Sequence, residues 1–139
     1  MTIEQILDDF SYLDDWEDRY RYVIELGKAL PEFSETDRSP ANKVEGCVSQ
    51  VWLKTRAESR DGKTVLTFTG DSDAHIVRGL IAILFAIYSG HSPEEITATD
   101  AAAIMSQLGL KDHLTQQRSN GLHAMIARIR AEASAAAAA

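Results

Sequence analysis

The pattern of apolar and polar positions near the N-terminus predicts two short helices. Apolar residues recur there at helical spacing, and Thr2 with Gln5 has the spacing of a capping box, so a first helix is expected to end near Leu13. A second helix is predicted between a cap at Asp15 and Pro31, because proline cannot continue a helix. The chain therefore opens with a helical pair.

The pattern then changes from a helical period to a period of two. Residues 32–43 are polar and rich in turn formers, which predicts a loop. Apolar and polar residues alternate over 51–57, and 64–69 is rich in β-branched residues. An Asp-Gly pair at 61–62 separates the two stretches, which predicts an antiparallel hairpin. A third strand over 42–46, or a helix on the apolar face, is expected to support it, because an isolated hairpin is marginally stable.

The second half of the chain returns to helical patterns. Residues 73–88 are apolar on most of the helix circumference, so this helix is expected at the centre of the fold, capped by Asp71 or Ser72. Two short helices are predicted next, and a last amphipathic helix is expected to begin between Thr115 and Gly121. This order predicts an α+β fold in which several helices pack with a small antiparallel sheet of about three strands.

Composition narrows the picture to one ordinary globular domain. The chain has 139 residues, of which 45% are hydrophobic and 25% charged. We expect the domain to cover residues 1–133, and we assign no function to the Ala-rich tail at 134–139. The formal net charge of −7 disfavours a nucleic-acid partner. The most apolar segment, residues 79–88, has about half of the ~20 residues that a membrane-spanning helix needs, so no membrane association is expected.

Cysteine usage points to a reducing compartment. The chain contains one cysteine, which cannot form an internal disulfide. Its start, MTIEQILDDF, shows no basic stretch leading into an apolar run of the kind found in secretory signals. We therefore expect a cytoplasmic protein.

The position of that cysteine, Cys47, raises the question of its chemistry. Free cysteines are often small apolar core residues, which is the plain structural interpretation. Cys47 however follows Gly46 and a long polar loop, and such loops are often functional. A structural zinc site is disfavoured because neither CxxC nor HxxxH occurs. Intramolecular thiol–disulfide exchange is excluded because it needs a second cysteine.

Two chemistries remain open for a single thiol. The first is a small stand-alone thiol enzyme, a hydrolase or a peroxidase, in which a histidine such as His113 folds close to Cys47. The second is a carrier that receives a group from one protein and gives it to another. A carrier needs no base, metal or second cysteine of its own, because its partners supply the activation.

Four stretches of the chain resemble the SufE family of sulfur acceptors, also called cysteine desulfuration proteins. They are RSPANKVEGC, the overlapping GCVSQVW, GDSDAHIVRGLIAILFAIYSG and HLTQQRSNGLHAMIARIRA. They occur in the family's order and at appropriate separations, and the likeness extends from Phe10 to Ala131.

The resemblance implies a fold, an activity and a set of partners. Its fold is α+β and is similar to that of IscU-type iron–sulfur scaffolds, which assemble clusters on several cysteines, whereas this chain has one. The implied activity is non-enzymatic: the protein accepts persulfide sulfur from a SufS-like or CsdA-like cysteine desulfurase, stimulates that enzyme, and passes the sulfur to an iron–sulfur scaffold. No cofactor is expected on this chain, since pyridoxal phosphate belongs to the desulfurase. Whether the free protein forms a homodimer stays open.

The family's sulfur-carrying cysteine falls on Cys47. We expect it to lie against an apolar cavity in the free protein and to swing outward on docking. Glu45 is expected to oppose ionisation of the thiol, whereas nearby cations are expected to favour it. The residues expected to support the site or to contact a partner are Gly46, Ser49, Gln50, Arg118, Arg38 and Lys43.

Overall fold

The computed structural model describes the backbone of residues 1–138 and the side chains of that range except that of Lys111. Two helices, a hairpin and further helices follow one another, which confirms the predicted α+β class. Within the described range, each helix falls short of the combination of length and hydrophobicity that a bilayer span requires. The elements are α1 (Ile3–Ser11), α2 (Trp16–Lys28), β1 (Val51–Arg60), β2 (Lys63–Ser72), α3 (His75–Tyr88), α4 (Pro93–Ala98), α5 (Ala101–Gln107) and α6 (Gln116–Ala138), with 3-10 turns at Glu35–Asp37 and Leu110–His113.

The first two helices begin at the predicted caps. The Thr2 hydroxyl accepts a hydrogen bond from the Gln5 main-chain N–H, and the Gln5 side chain accepts one from the Thr2 N–H. The Asp15 carboxylate accepts from the Glu17 N–H at the start of α2. Both helices end slightly before the predicted residues. Local sequence signals are thus sufficient to place this helical pair.

The hairpin of β1 and β2 is antiparallel along its whole length. Asp61 and Gly62 form its turn, with φ angles of 52° and 80° that match the left-handed turn expected of an Asp-Gly pair. Val51 and Leu53, at the other end of β1, are buried in the core. The base of the hairpin is therefore fixed by packing, and this base adjoins the loop that carries Cys47.

The prediction of a third strand is wrong, and the alternative support, a helix packed on the hairpin, is provided by α3, which follows β2 in the chain. The sheet of the described residues has two strands, and the segment 42–46 contributes only an isolated bridge between Lys43 and Trp52. The Leu53 N–H donates to the Asn42 carbonyl and the Val44 N–H donates to the Val51 carbonyl, both at 2.9 Å. The pairing stops there because the chain turns away through Gly46 into the Cys47 loop.

Helix α3 lies at the centre of the core, as predicted. Leu80 is fully buried, and most of the other residues of the helix are buried. Helix α2 crosses it so closely that a Cβ atom on Gly79 would lie 2.1 Å from the Val23 carbonyl oxygen. This close crossing fixes α3, which presents Val77 and Leu80 to the candidate site.

The predicted cap of α3 is also wrong. β2 continues through Ser72, so Asp71 and Ser72 are strand residues, and the helix begins only at His75. The residue before the helix is Ala74, which provides no side-chain cap, although its N–H donates to the Ser72 hydroxyl. Strand pairing therefore overrides the local capping signal.

The C-terminal helices follow the prediction more closely. Ser92 and Glu95 form a capping box at α4, and Asp100 caps α5. Helix α6 begins at Gln116, within the predicted interval, and continues through Ala138. The division into a domain at 1–133 and a tail at 134–139 stays a prediction, and Ala139 lies outside the described residues.

Candidate functional site

The loop 44–50 carries Cys47 between the isolated bridge and β1. Gly46 has a φ of +92°, a conformation that residues with a side chain rarely adopt. A Cβ atom at this position would also lie 3.3 Å from the Ala124 Cβ on α6. Glycine is thus required at this turn, which directs Cys47 toward α6.

The Cys47 thiol lies against α6 and is half-buried. Its Sγ donates a weak hydrogen bond to the Gly121 carbonyl oxygen at 3.6 Å. A Cβ atom at Gly121 would lie 3.5 Å from Sγ, an ordinary contact distance, so the sulfur lies directly against this part of α6. The loop and the helix together place the thiol at a defined position.

Cys47 borders a cavity of about 220 Å³. Buried apolar side chains from β1, α3 and α6 form its floor, and exposed residues at the start of α6 form part of its rim. The cysteine thus lies against a cavity as expected, but only the floor of that cavity is apolar. The lining residues are Cys47, Val48, Ser49, Val51, Val77, Leu80, Thr115, Gln117, Arg118, Gly121 and Met125.

The environment of Cys47 disfavours the thiolate. Burial raises the pKa of the Cys47 thiol above its ordinary value, and the Glu45 carboxylate raises it further. The predicted opposition from Glu45 is thereby confirmed. With its pKa raised, the thiol stays mostly protonated near neutral pH in the free protein. Since only the thiolate is strongly nucleophilic, the free protein reacts slowly.

Replacing Glu45 by glutamine is expected to lower the pKa of the Cys47 thiol. The substitution removes the smaller of the two causes and leaves burial in place, so the pKa should fall but burial should still hold it above the ordinary value. The measurement is the rate of Cys47 alkylation by iodoacetamide as a function of pH, and the Glu45→Gln profile should shift to lower pH. Glu94→Gln, which alters an exposed carboxylate on α4, is the matched control. An unchanged profile for Glu45→Gln would contradict this electrostatic account.

Asp73 holds the C-terminal end of the Cys47 loop through two hydrogen bonds. Its carboxylate accepts a hydrogen bond from the Gln50 N–H at 3.1 Å, and its own N–H donates to the Gln50 carbonyl at 3.3 Å. These two bonds tie the loop to the start of α3. The side-chain bond is the one that a substitution can remove.

Replacing Asp73 by alanine is expected to loosen the loop. The loss of one hydrogen bond of about 1 kcal/mol corresponds to a roughly fivefold shift toward the open loop. Hydrogen exchange at the Gln50 amide and alkylation at Cys47 should both accelerate by about that factor. Asp14→Ala, which removes an exposed carboxylate between α1 and α2, is the control that should leave both rates unchanged. Equal rates in Asp73→Ala and the parent protein would show that this bond does not restrain the loop.

Comparison with known protein families gives a match over nearly the whole chain. Residues 4–133 match the sequence model of SufE, described as an Fe-S metabolism associated domain. The chain belongs to the SufE family. The family places the protein in iron–sulfur metabolism.

Curated relatives carry the same family name. An uncharacterized SufE-like protein from Rhizobium etli is 59% identical over 99% of this chain and 93% of its own length. Another from Rhizobium meliloti is 58% identical over 95% of this chain and 94% of its own length. A hypothetical protein from Thermus thermophilus, solved in solution, shares the fold with a TM-score of 0.75 and 22% identity, and the match covers 100% of both chains.

The SufE-family geometry gathers several of the predicted site residues around Cys47. Ser49 and Arg118 line the cavity with it, and Gly46 forms the turn that precedes it. Gln50 is exposed and bonds through its main chain to Asp73. Their contributions to function stay predictions, but all of them are close to the thiol or to its loop.

Arg38 and Lys43 are placed elsewhere and do not line the cavity. Arg38 forms an ion pair with Asp71 and lies over the ring of Trp52, with its guanidinium carbon 5.5 Å from the ring centre. The Lys43 side chain is exposed, and its carbonyl accepts a hydrogen bond from Arg128 at 3.1 Å. Their predicted role in contacting a partner stays a prediction.

Sequence reasoning missed the residues that complete the cavity. The helical pattern assigns Val77 and Leu80 to the core and Met125 to the stripe of the last helix, so none suggests a site. In the sequence pattern, Gly121 marks only the latest residue at which the last helix is predicted to begin. A glycine inside an amphipathic helix is a signal of close approach by another group, and here that group is the cysteine.

Proposed function

We propose that this SufE-family protein accepts sulfur as a persulfide on Cys47 from a pyridoxal-phosphate-dependent cysteine desulfurase. It stimulates that enzyme and passes the sulfur to an iron–sulfur scaffold. The observation that carries this proposal is the position of the chain's single cysteine, half-buried at a cavity with an apolar floor. Family membership supports a role in iron–sulfur metabolism, and a thiol that must stay reduced supports a cytoplasmic location.

The proposed transfer is a thiol–persulfide exchange. The Cys47 thiolate attacks the outer sulfur of the donor's persulfide, and a bond forms between Sγ and that sulfur. The bond between the donor's inner and outer sulfur atoms breaks, and the electron pair leaves with the donor as its thiolate. The proton that Cys47 loses ends on the donor thiol, so the exchange needs no external oxidant or reductant.

The geometry supports a carrier whose thiol reacts slowly in the free protein and faster after docking to a partner. In the free protein, burial and Glu45 keep the thiol protonated. Val48, the next residue, is 74% exposed, which gives a partner an apolar side chain to bury beside the thiol. Docking would draw the loop outward and place Cys47 among the activating groups of the desulfurase.

A stand-alone thiol enzyme is not supported by this geometry. Such an enzyme needs a base within hydrogen-bonding reach of the sulfur. His113, the base considered from the sequence, stacks on Trp16 with ring centres 3.6 Å apart. The described residues that line the cavity include no histidine or carboxylate.

Incubation with a desulfurase, cysteine and pyridoxal phosphate tests the proposal. Intact-mass spectrometry should show the addition of one sulfur atom, and peptide mapping should place it on Cys47. The protein alone should not turn over small ester or peroxide substrates. If no sulfur is added while the desulfurase is active, or if unaided turnover depends on Cys47, the carrier assignment is wrong.

A further inference from the structure

The cavity beside Cys47 is larger than a persulfide requires. One additional sulfur atom is only slightly larger than a water molecule, which needs roughly 10–15 Å³ of cavity volume. The cavity has about 220 Å³. It therefore has room for several further atoms next to the sulfur.

The lining of the cavity favours a particular kind of molecule. Val51, Leu80 and Met125 are buried and form an apolar floor. Thr115 and Gln117 add hydrogen-bonding groups at the exposed rim. An apolar floor with a few polar groups at one side is the usual composition of a small-molecule site.

Arg118 gives this rim a positive charge. Its main-chain N–H bonds to the Thr115 hydroxyl, but its guanidinium forms no hydrogen bond or ion pair with another described residue. No carboxylate from the described residues lines the cavity. A guanidinium can pair with a carboxylate through two parallel hydrogen bonds, so a carboxylate on a small ligand would have a partner here.

We infer that the cavity binds low-molecular-weight persulfides that carry a carboxylate, and that Cys47 takes their outer sulfur without a desulfurase. This inference rests on the proposed function, in which Cys47 accepts sulfur. The guanidinium of Arg118 binds the carboxylate, and the carbon chain lies on the apolar floor. The persulfide then lies in the cavity that the Cys47 thiol also borders.

Sulfur transfer from a small persulfide forms and breaks the same kinds of bonds as transfer from a protein persulfide. A bond forms between Cys47 Sγ and the outer sulfur, and the bond between the two sulfur atoms of the small molecule breaks. The small molecule leaves as a thiolate and takes up the proton that Cys47 lost. Because the described lining of the cavity offers no carboxylate for an ammonium group, an N-acylated amino-acid persulfide should bind in the cavity before it reacts, whereas a cationic persulfide without a carboxylate should react only by unassisted collision.

The test uses the full-length protein without desulfurase and two donors, N-acetylcysteine persulfide and cysteamine persulfide. The rate at which the intact mass gains one sulfur atom is measured against donor concentration. Loading from the carboxylate donor should saturate, whereas loading from the cationic donor should rise linearly. Arg118→Gln should reduce the carboxylate donor's rate about tenfold, as expected for the loss of one charge-assisted hydrogen bond, and should remove saturation.

Arg56→Gln, which alters an exposed arginine on β1 outside the cavity, is the matched control and should behave as the parent. Comparison of the two donors in the parent and in Arg118→Gln cancels their intrinsic difference in reactivity. Linear loading from both donors, or a donor preference unchanged in Arg118→Gln, would overturn the inference. Loading by a desulfurase is measured on the same samples. If the desulfurase loads Cys47 while small persulfides show no saturation, this inference alone fails; if the desulfurase does not load Cys47, the proposed function fails.

Discussion

Replacing Cys47 by serine is expected to abolish sulfur acceptance and leave the fold intact. A hydroxyl is smaller than a thiol and introduces no clash, and the bond that is lost is only a weak one from Sγ to the Gly121 carbonyl. The hydroxyl cannot form a persulfide. Because the side chain is only half-buried, the change in stability should stay within about 1 kcal/mol.

Three measurements on the Cys47→Ser variant separate chemistry from structure. The intact mass should show no added sulfur after incubation with desulfurase and cysteine. Stimulation of the desulfurase should fall to the level without the carrier, whereas binding to the desulfurase and the melting temperature should be retained. Ser106→Ala, an exposed change on α5, should retain all activities. Sulfur transfer by Cys47→Ser at the parent rate would refute the role of the thiol.

Replacing Gly79 by alanine is expected to disrupt the packing of α2 against α3. The new Cβ atom would lie 2.1 Å from the Val23 carbonyl oxygen and 2.5 Å from one of its methyl carbons. The closer contact is to main-chain atoms, so a rotamer change cannot relieve it and the two helices must separate. Overpacking usually costs about 1–3 kcal/mol, and this backbone contact should exceed that range. A loss of this size is a large part of a typical domain stability of about 5–15 kcal/mol.

Gly121→Ala is the matched control for Gly79→Ala. Both substitutions add one methyl group to a helix, but at Gly121 the new atom would lie 3.5 Å from the nearest neighbour, which is ordinary contact. Its stability should stay equal or rise by up to about 1 kcal/mol, since alanine favours helices over glycine. Thermal unfolding followed by circular dichroism should therefore show a large fall in melting temperature for Gly79→Ala only. Equal melting temperatures of the two variants would show that the close crossing is not required.

Local signals in the sequence are sufficient for most of the secondary structure. The capping box at Thr2, the cap at Asp15 and the turn at Asp61 and Gly62 each depend on residues a few positions apart. The predicted cap of α3 is wrong because pairing with β1 extends β2 through Ser72, and this pairing is not encoded in the local pattern. Tertiary contacts decide such boundaries.

The candidate site is predictable only in part for the same reason. The single cysteine and its glycine turn are visible in the sequence, and the family resemblance gives Cys47 its expected role. The acceptor of its hydrogen bond, Gly121, lies 74 positions away. Arg38 likewise pairs with a residue 33 positions away, and that ion pair keeps it from the site. Contacts over such separations follow from the packing of α3 and α6, which the helical periods alone do not specify.

The central claim is that one sulfur atom moves onto Cys47 and off again, and isotopic labelling of that atom tests it most directly. The protein is loaded by a desulfurase from cysteine that contains heavy sulfur, separated from the enzyme, and mixed with an iron–sulfur scaffold, iron and reductant. The account predicts that the mass of the carrier falls by one heavy sulfur as the label enters the scaffold. A label that never enters Cys47, or that stays there while the scaffold acquires sulfur from another source, would contradict it.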